Sequence, residues 1–184
     1  MTKVKTKFFL GYVRCNPRNK TDIESEDFGE CAVNSVCIYT GLPYEKLRND
    51  IMKINKIHCG KNTFRYGTDV DSEEFMEYMN SLGLKKVNLF ENELLSISEV
   101  YEKYGDCVAY FSGDKDEYHM TCIKNGKVFD YRDDRLVSFI SREIKNENEY
   151  KYFKRQGAEM KWIGDNYFVK GTFEPCVEGI FLND

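Results

Sequence analysis

Apolar residues recur with the 3.6-residue period of amphipathic helices through the first half of the chain, and this pattern predicts four helices. The clearest start lies in ECAVNSVCIYT, where Asp27 and Glu30 form a D-x-x-E sequence similar to a capping box and Gly41 ends the run. Its predicted buried side consists of Ala32, Val33, Val36, Cys37 and Thr40. The other predicted helices are YEKLRNDIMKIN with Pro43 in its first turn, DSEEFMEYMNSLG capped by Thr68 or Asp69, and SEVYEKYG capped by Ser96 or Ser98.

After Gly105 the apolar period changes from 3.6 to 2, which predicts strands. The clearest strands are CVAYFS (107–112), YHMTCIK (118–124) and KVFDYR (127–132), and Asn125-Gly126 between the last two is a strong hairpin signal. Further predicted strands are TKFFLGYVR, LKKVNLF, YKYF, MKWI, YFVKGTF and VEGIFL, and residues 58–68 are predicted to form a loop. We therefore expect an α+β fold in one domain, residues 1–184, with helices packed on a C-terminal antiparallel sheet.

Composition narrows the function classes. The chain has 184 residues, 41% of them hydrophobic and 32% charged, as in a soluble globular protein. A net charge of −4 and a pI near 5.4 argue against a nucleic-acid binder that relies on phosphate contacts. The sequence contains no apolar run of the ~18 residues that a membrane span needs and no secretory signal pattern, so we expect a cytoplasmic protein.

The seven cysteines are irregularly spaced and include no C-x-x-C pair. This pattern disfavours both a disulfide framework and a tetrahedral zinc site, although His58 and Cys59 could be combined on paper with Cys31 and Cys37. We therefore expect free thiols, no metal and no cofactor.

The hairpin brings a histidine and a carboxylate together. A two-residue loop at Asn125-Gly126 pairs Lys124 with Lys127, and counting outward puts His119 on the same face as Asp130. The two residues are then diagonal neighbours, roughly 7–8 Å apart between backbones. Asp130 is therefore predicted to accept a hydrogen bond from the imidazole and to orient it, while His119 acts as a base.

Cys31 is the cysteine best placed to act as a nucleophile. It lies in the first turn of its predicted helix, where unpaired N–H groups and the helix dipole favour a thiolate. Cys37 lies on the predicted buried side of the same helix, and Cys107 and Cys122 lie in strands that are predicted to be core. The predicted catalytic set is therefore Cys31, His119 and Asp130.

The segments DFGECAVNSVCIYTGLPYEKL and HMTCIKNGKVFDYRDD resemble the papain-like cysteine peptidase superfamily, particularly its compact bacteriocin-processing-like and phage-encoded branch. The resemblance covers roughly residues 27–135 and implies a papain-like fold with Cys31 as nucleophile, His119 as base and Asp130 as orienter. The family commonly has a glutamine oxyanion donor shortly before the cysteine, where this chain has Ser25. Asn16 or Asn19 could supply that donor beside the Cys31 backbone N–H.

These residues predict hydrolysis of an amide bond in a protein or peptide substrate through a thioester, as in a peptidase, isopeptidase or amidase. Two alternatives remain open: an inactive papain-like domain that binds a host or partner protein, and a transamidase that uses the same triad. The Lys-, Asn- and Ile-rich composition is typical of a phage or an AT-rich bacterial genome, and a phage protein would act in the host cytoplasm. The pattern predicts no oligomeric state.

Overall fold

The computed structural model describes residues 10–15, 29–60, 64, 67–89, 94–112, 118–130, 136 and 138–183. The helices in these ranges are α1 (Cys31–Thr40), α2 (Tyr44–Cys59), α3 (Glu73–Ser81), α4 (Ile97–Tyr104) and α5 (Glu147–Arg155). The strands are β1 (Gly11–Arg14), β2 (Leu84–Asn88), β3 (Leu95–Ser96), β4 (Cys107–Ser112), β5 (Tyr118–Lys124), β6 (Lys127–Asp130), β7 (Ser138–Glu143), β8 (Met160–Ile163), β9 (Asn166–Phe173), β10 (Cys176–Val177) and β11 (Gly179–Asn183). This mixture of helices and sheets agrees with the predicted α+β class.

The main sheet has six strands in the order β1-β6-β5-β4-β11-β2. Its C-terminal strands pair antiparallel, as predicted, but the N-terminal strand β1 runs parallel to β6, which the sequence did not predict. The two strands that pair in parallel are separated by the first four helices. Their pairing is therefore a long-range feature that local periodicity does not encode.

Both faces of the main sheet are buried because helices cover each of them. Along β4, Val108 and Tyr110 pack with apolar residues of α1, α2 and α3, while the intervening residues pack in a second cluster with Ile97 and Val100 of α4. The helix α1 crosses β5 and also contacts β4 and β6. This packing brings the start of α1 to the strand that carries His119.

Some helix ends differ from their predictions. The cap residue of α1 is Glu30, which makes no side-chain capping bond, so the predicted capping box was wrong; Asp27 lies outside the described residues. Ser72 caps α3 in place of Thr68 or Asp69 because its hydroxyl accepts from the Phe75 N–H. Pro43 precedes α2 as its cap residue, and α2 continues through Cys59 into the predicted loop.

Other helix ends agree with the pattern. Gly41 ends α1 with a left-handed backbone, which a residue without a side chain adopts at little cost. Ser96 caps α4 in a complete capping box with Glu99. No helix within the described ranges is both long and apolar enough to cross a bilayer.

The segment from β7 to β9 forms a separate layer, whereas β11 at the end of the chain returns to the main sheet between β4 and β2. The strands β7, β9 and β8 form a three-stranded sheet in that order, and α5 packs on it through Tyr152 and Phe153 against Val169 and Phe173. YKYF was predicted as a strand, which was wrong because it lies within α5. Asn146 caps this helix by accepting from the Glu149 N–H.

Candidate active site

The hairpin between β5 and β6 has the predicted register. Asn125 and Gly126 both have positive φ angles, 51° and 69°, as a two-residue turn of this twist requires. Lys124 pairs with Lys127, and the ladder continues inward from that pair. The His119 Nε2 atom lies 2.7 Å from the Asp130 Oδ2 atom, so the predicted contact between imidazole and carboxylate is present.

This pair is shielded from water. His119 is 1% exposed and Asp130 is 4% exposed, which leaves little solvent to weaken their attraction. The ring of Phe111, on the neighbouring strand, meets the imidazole edge-on with centroids 5.5 Å apart. The imidazole is therefore held on one side by a carboxylate and on another by an aromatic ring, and its orientation is fixed.

Cys31 is the first residue of α1, and its thiol lies close enough to the imidazole of His119 for each group to shift the pKa of the other. Asp130 contacts Nε2, so Nδ1 is the ring nitrogen through which His119 would exchange a proton with the thiol. The backbone N–H of Met120 also lowers the pKa of the thiol, an influence that the sequence pattern did not predict. The structure thus brings together all three residues of the predicted catalytic set.

The electrostatics of the site favour a thiolate and an imidazolium. Burial raises the pKa of Cys31, but the hydrogen bond and charge of His119 and the N–H of Met120 outweigh it, and the pKa falls below its ordinary value. Burial lowers the pKa of His119, but the hydrogen bond and charge of Asp130, together with Cys31, raise it to about 9. Near neutral pH the proton therefore resides on the imidazole.

The other cysteines with a described side chain behave differently. Burial raises the pKa of Cys107, Cys122 and Cys176 to about 12, and it also raises the pKa of Cys15 and Cys37. Cys107 and Cys122 are fully buried, as predicted for core strands. Cys37 was predicted on the buried side of α1 but is half-buried, and its thiol donates to the Leu42 carbonyl. Cys31 is the only one of these six whose pKa is lowered.

The residues just before Cys31 are anchored to α2. Glu30 is 3% exposed, and its carboxylate accepts from the Arg48 guanidinium at 2.8 Å and from the Tyr44 hydroxyl. The same guanidinium lies over the ring of Phe64, 5.5 Å from its centroid. These contacts explain why the Glu30 side chain makes no capping hydrogen bond to α1: it is held by tertiary partners. They also hold the start of α1 in place.

Gly29, just before Glu30, lies very close to the backbone of Phe64. A Cβ atom at this position would lie 1.4 Å from the backbone carbonyl oxygen of Phe64. The chain therefore requires glycine here because no side chain fits between the two backbones. Sequence reasoning missed this residue because the backbone that it approaches, at Phe64, is distant along the chain.

The second oxyanion donor stays a prediction, since Asn16, Asn19 and Ser25 all lie outside the described residues. The backbone N–H of Cys31 is one of the amides at a helix start that have no acceptor within the helix, which suits an oxyanion donor. Within the described ranges no group of three or more His, Cys, Asp or Glu residues is placed to hold a metal ion.

Comparison of the chain with protein-family models, curated proteins and solved structures found no match. The functional assignment therefore depends on the geometry of Cys31, His119 and Asp130.

Proposed function

We propose that this protein is a cysteine hydrolase that cleaves an amide bond in a protein or peptide substrate through a thioester on Cys31. The observation that supports this proposal most directly is the placement of the Cys31 thiol beside His119, whose Nε2 atom lies 2.7 Å from the Asp130 Oδ2 atom. A nucleophile, a base and an orienting carboxylate in this order form the arrangement that covalent acyl transfer requires.

In the proposed reaction, the Cys31 thiolate attacks the carbonyl carbon and a C–S bond forms. His119 gives its proton to the leaving amine as the C–N bond breaks. Water then loses a proton to His119 and attacks the thioester, which releases a carboxylic acid and returns the thiolate and imidazolium. Asp130 stabilises the imidazolium in both steps.

The papain-like architecture belongs to the same proposal. A helix that begins at the nucleophile and packs across the strand that carries the base supports it. The parallel pairing of β1 with β6 and the separate C-terminal sheet are features that the resemblance did not predict.

Acyl transfer can be tested with p-nitrophenyl acetate, whose acetyl group would form a thioester on Cys31 as p-nitrophenolate leaves. We expect peptide mapping to place a hydroxylamine-labile acetyl group on Cys31 before any other cysteine, because its pKa is the one that is lowered. The Cys37→Ala variant is the control and should acylate normally, since Cys37 has a raised pKa.

Two outcomes would redirect the proposal. Acetylation of Cys31 no faster than that of Cys37 would contradict a hydrolase and leave the non-catalytic binding domain. Adding a primary amine separates the remaining alternative, because transfer of the acetyl group to the amine in preference to water identifies a transamidase.

Replacing Asp130 by asparagine is expected to slow acylation of Cys31 about tenfold near pH 7. The carboxylate raises the pKa of His119 at close range. It also raises the pKa of Cys31, but this is the smallest of the named influences on that thiol. Its loss therefore mainly removes the support of the imidazolium and disfavours the thiolate–imidazolium pair. The difference from the unmodified protein should narrow as pH rises, because hydroxide then ionises the thiol directly. The control is Glu102→Gln, which also removes one negative charge but at an exposed position on α4.

A uniform slowing of the Asp130→Asn variant at every pH would argue against this electrostatic role and for a purely structural one.

A further inference from the structure

A cavity of about 350 Å³ lies between the start of α5 and the tip of the β8–β9 hairpin. None of Cys31, His119 and Asp130 lines it. Its volume is at the lower end of small-ligand pockets, which fits one compact group better than an extended molecule.

Three aromatic rings and Ile144 form its apolar lining. Trp162 and Tyr167 are directly paired across β8 and β9, and their ring centroids are 4.8 Å apart. The ring of Tyr150, on α5, is 4.8 Å from that of Tyr167. Trp162 is 61% exposed and Tyr167 is 38% exposed, so much of their ring surface is open to a ligand.

The charges around the cavity favour a cation. Asp165 lies at the hairpin tip and lines the cavity, and within the described part of the chain no residue hydrogen-bonds or ion-pairs with its carboxylate. Glu147 adds a second carboxylate, which Lys151 approaches to 2.8 Å. Among the lining residues the opposing charge is Lys145, which is exposed and can extend its ammonium group into water. The ammonium group of Lys154 lies over the Tyr150 ring, 5.8 Å from its centroid, so this ring already has a cation beside it.

Aromatic faces attract cations through their quadrupole, and a nearby carboxylate adds to that attraction. The start of α5 is not an anion site, because Asn146 and Glu149 already occupy its first turn. We propose that this cavity binds an alkylammonium group against the exposed rings of Trp162 and Tyr167 and near the carboxylate of Asp165. The group would be carried either by a small molecule or by a lysine side chain of a peptide.

Trp162 is the only tryptophan of the chain, so its fluorescence reports on this cavity alone. Choline is titrated against 3,3-dimethyl-1-butanol, which has the same shape without the charge. We expect a saturable change in Trp162 fluorescence with choline at an affinity about fivefold or more above that of the alcohol. N-acetyl-lysine amide in a third titration distinguishes a peptide lysine from a free quaternary ammonium.

Two variants locate the binding. Asp165→Asn and Tyr167→Leu should each weaken the choline response about threefold or more, whereas Glu159→Gln, outside the lining residues, should not change it. Equal responses to choline and the alcohol, or an Asp165→Asn response equal to that of Glu159→Gln, would overturn the proposal. None of these readouts involves Cys31, so an inactive triad leaves the test unaffected.

Discussion

Exchanging His119 for glutamine is expected to slow alkylation of Cys31 by iodoacetamide about 30-fold or more near pH 7. His119 is the main influence that lowers the pKa of this thiol, whereas burial acts in the opposite direction. Without the imidazolium, burial dominates, and the pKa of Cys31 rises above the ordinary cysteine value of about 8.5. Roughly 3% or less of the thiol would then be ionised near pH 7.

The pH dependence separates this cause from a packing defect. In the unmodified protein Cys31 should stay reactive well below the ordinary cysteine pKa, because the thiolate is paired with an imidazolium whose own pKa is about 9. In the variant the rate should rise steadily as pH increases and approach that of the unmodified protein once the thiol ionises unaided.

Cys37 serves as an internal reference in the same experiment. It lies in the same helix and is half-buried with a raised pKa, so its alkylation rate should be unaffected by the exchange. Peptide mapping then reports both rates from one sample. Because Cys31 is only 9% exposed, a small reagent is required. A rate for Cys31 that equals the rate for Cys37 in the unmodified protein would contradict the thiolate assignment.

Much of the arrangement of Cys31, His119 and Asp130 was predictable because it depends on local rules. The positive φ angles of Asn125 and Gly126 fix the hairpin register, and the register alone decides which residues face Asp130. Likewise, the glycine that ends α1 and the apolar run before it fix the helix that starts at Cys31. What remained was the packing of α1 on β5, which the resemblance supplied as an expectation.

The wrong predictions involve either tertiary contacts or a missed local signal. Glu30 has the spacing of a capping residue, but its carboxylate accepts hydrogen bonds from Arg48 and Tyr44 instead of capping the helix. The parallel pairing of β1 with β6 joins distant segments and leaves no trace in periodicity. The α5 error was avoidable, because Asn146 followed by Glu149 is a cap signal that outweighs the β propensity of YKYF.

Substituting alanine for Gly29 is expected to destabilise the protein by about 3 kcal/mol or more, because it overpacks two backbone segments. The added Cβ would lie 1.4 Å from the Phe64 carbonyl oxygen and 2.5 Å from its carbon, and backbone atoms cannot move aside as a flexible side chain does. Relief requires the start of α1 to shift, and that shift would also move Cys31 relative to His119. Loss of stability and slower alkylation of Cys31 should therefore appear together.

Gly11→Ala is the matched control, because a Cβ there would meet only a Lys127 side-chain carbon at 3.7 Å, an ordinary contact. Urea denaturation should show a lower midpoint for Gly29→Ala and a nearly unchanged one for Gly11→Ala, with similar slopes. Equal midpoints would mean that the two backbones can separate at little cost. In that case the close approach of Gly29 to Phe64 would not be what positions Cys31. The contacts of Glu30 with Arg48 and Tyr44 would then hold the start of α1 without it.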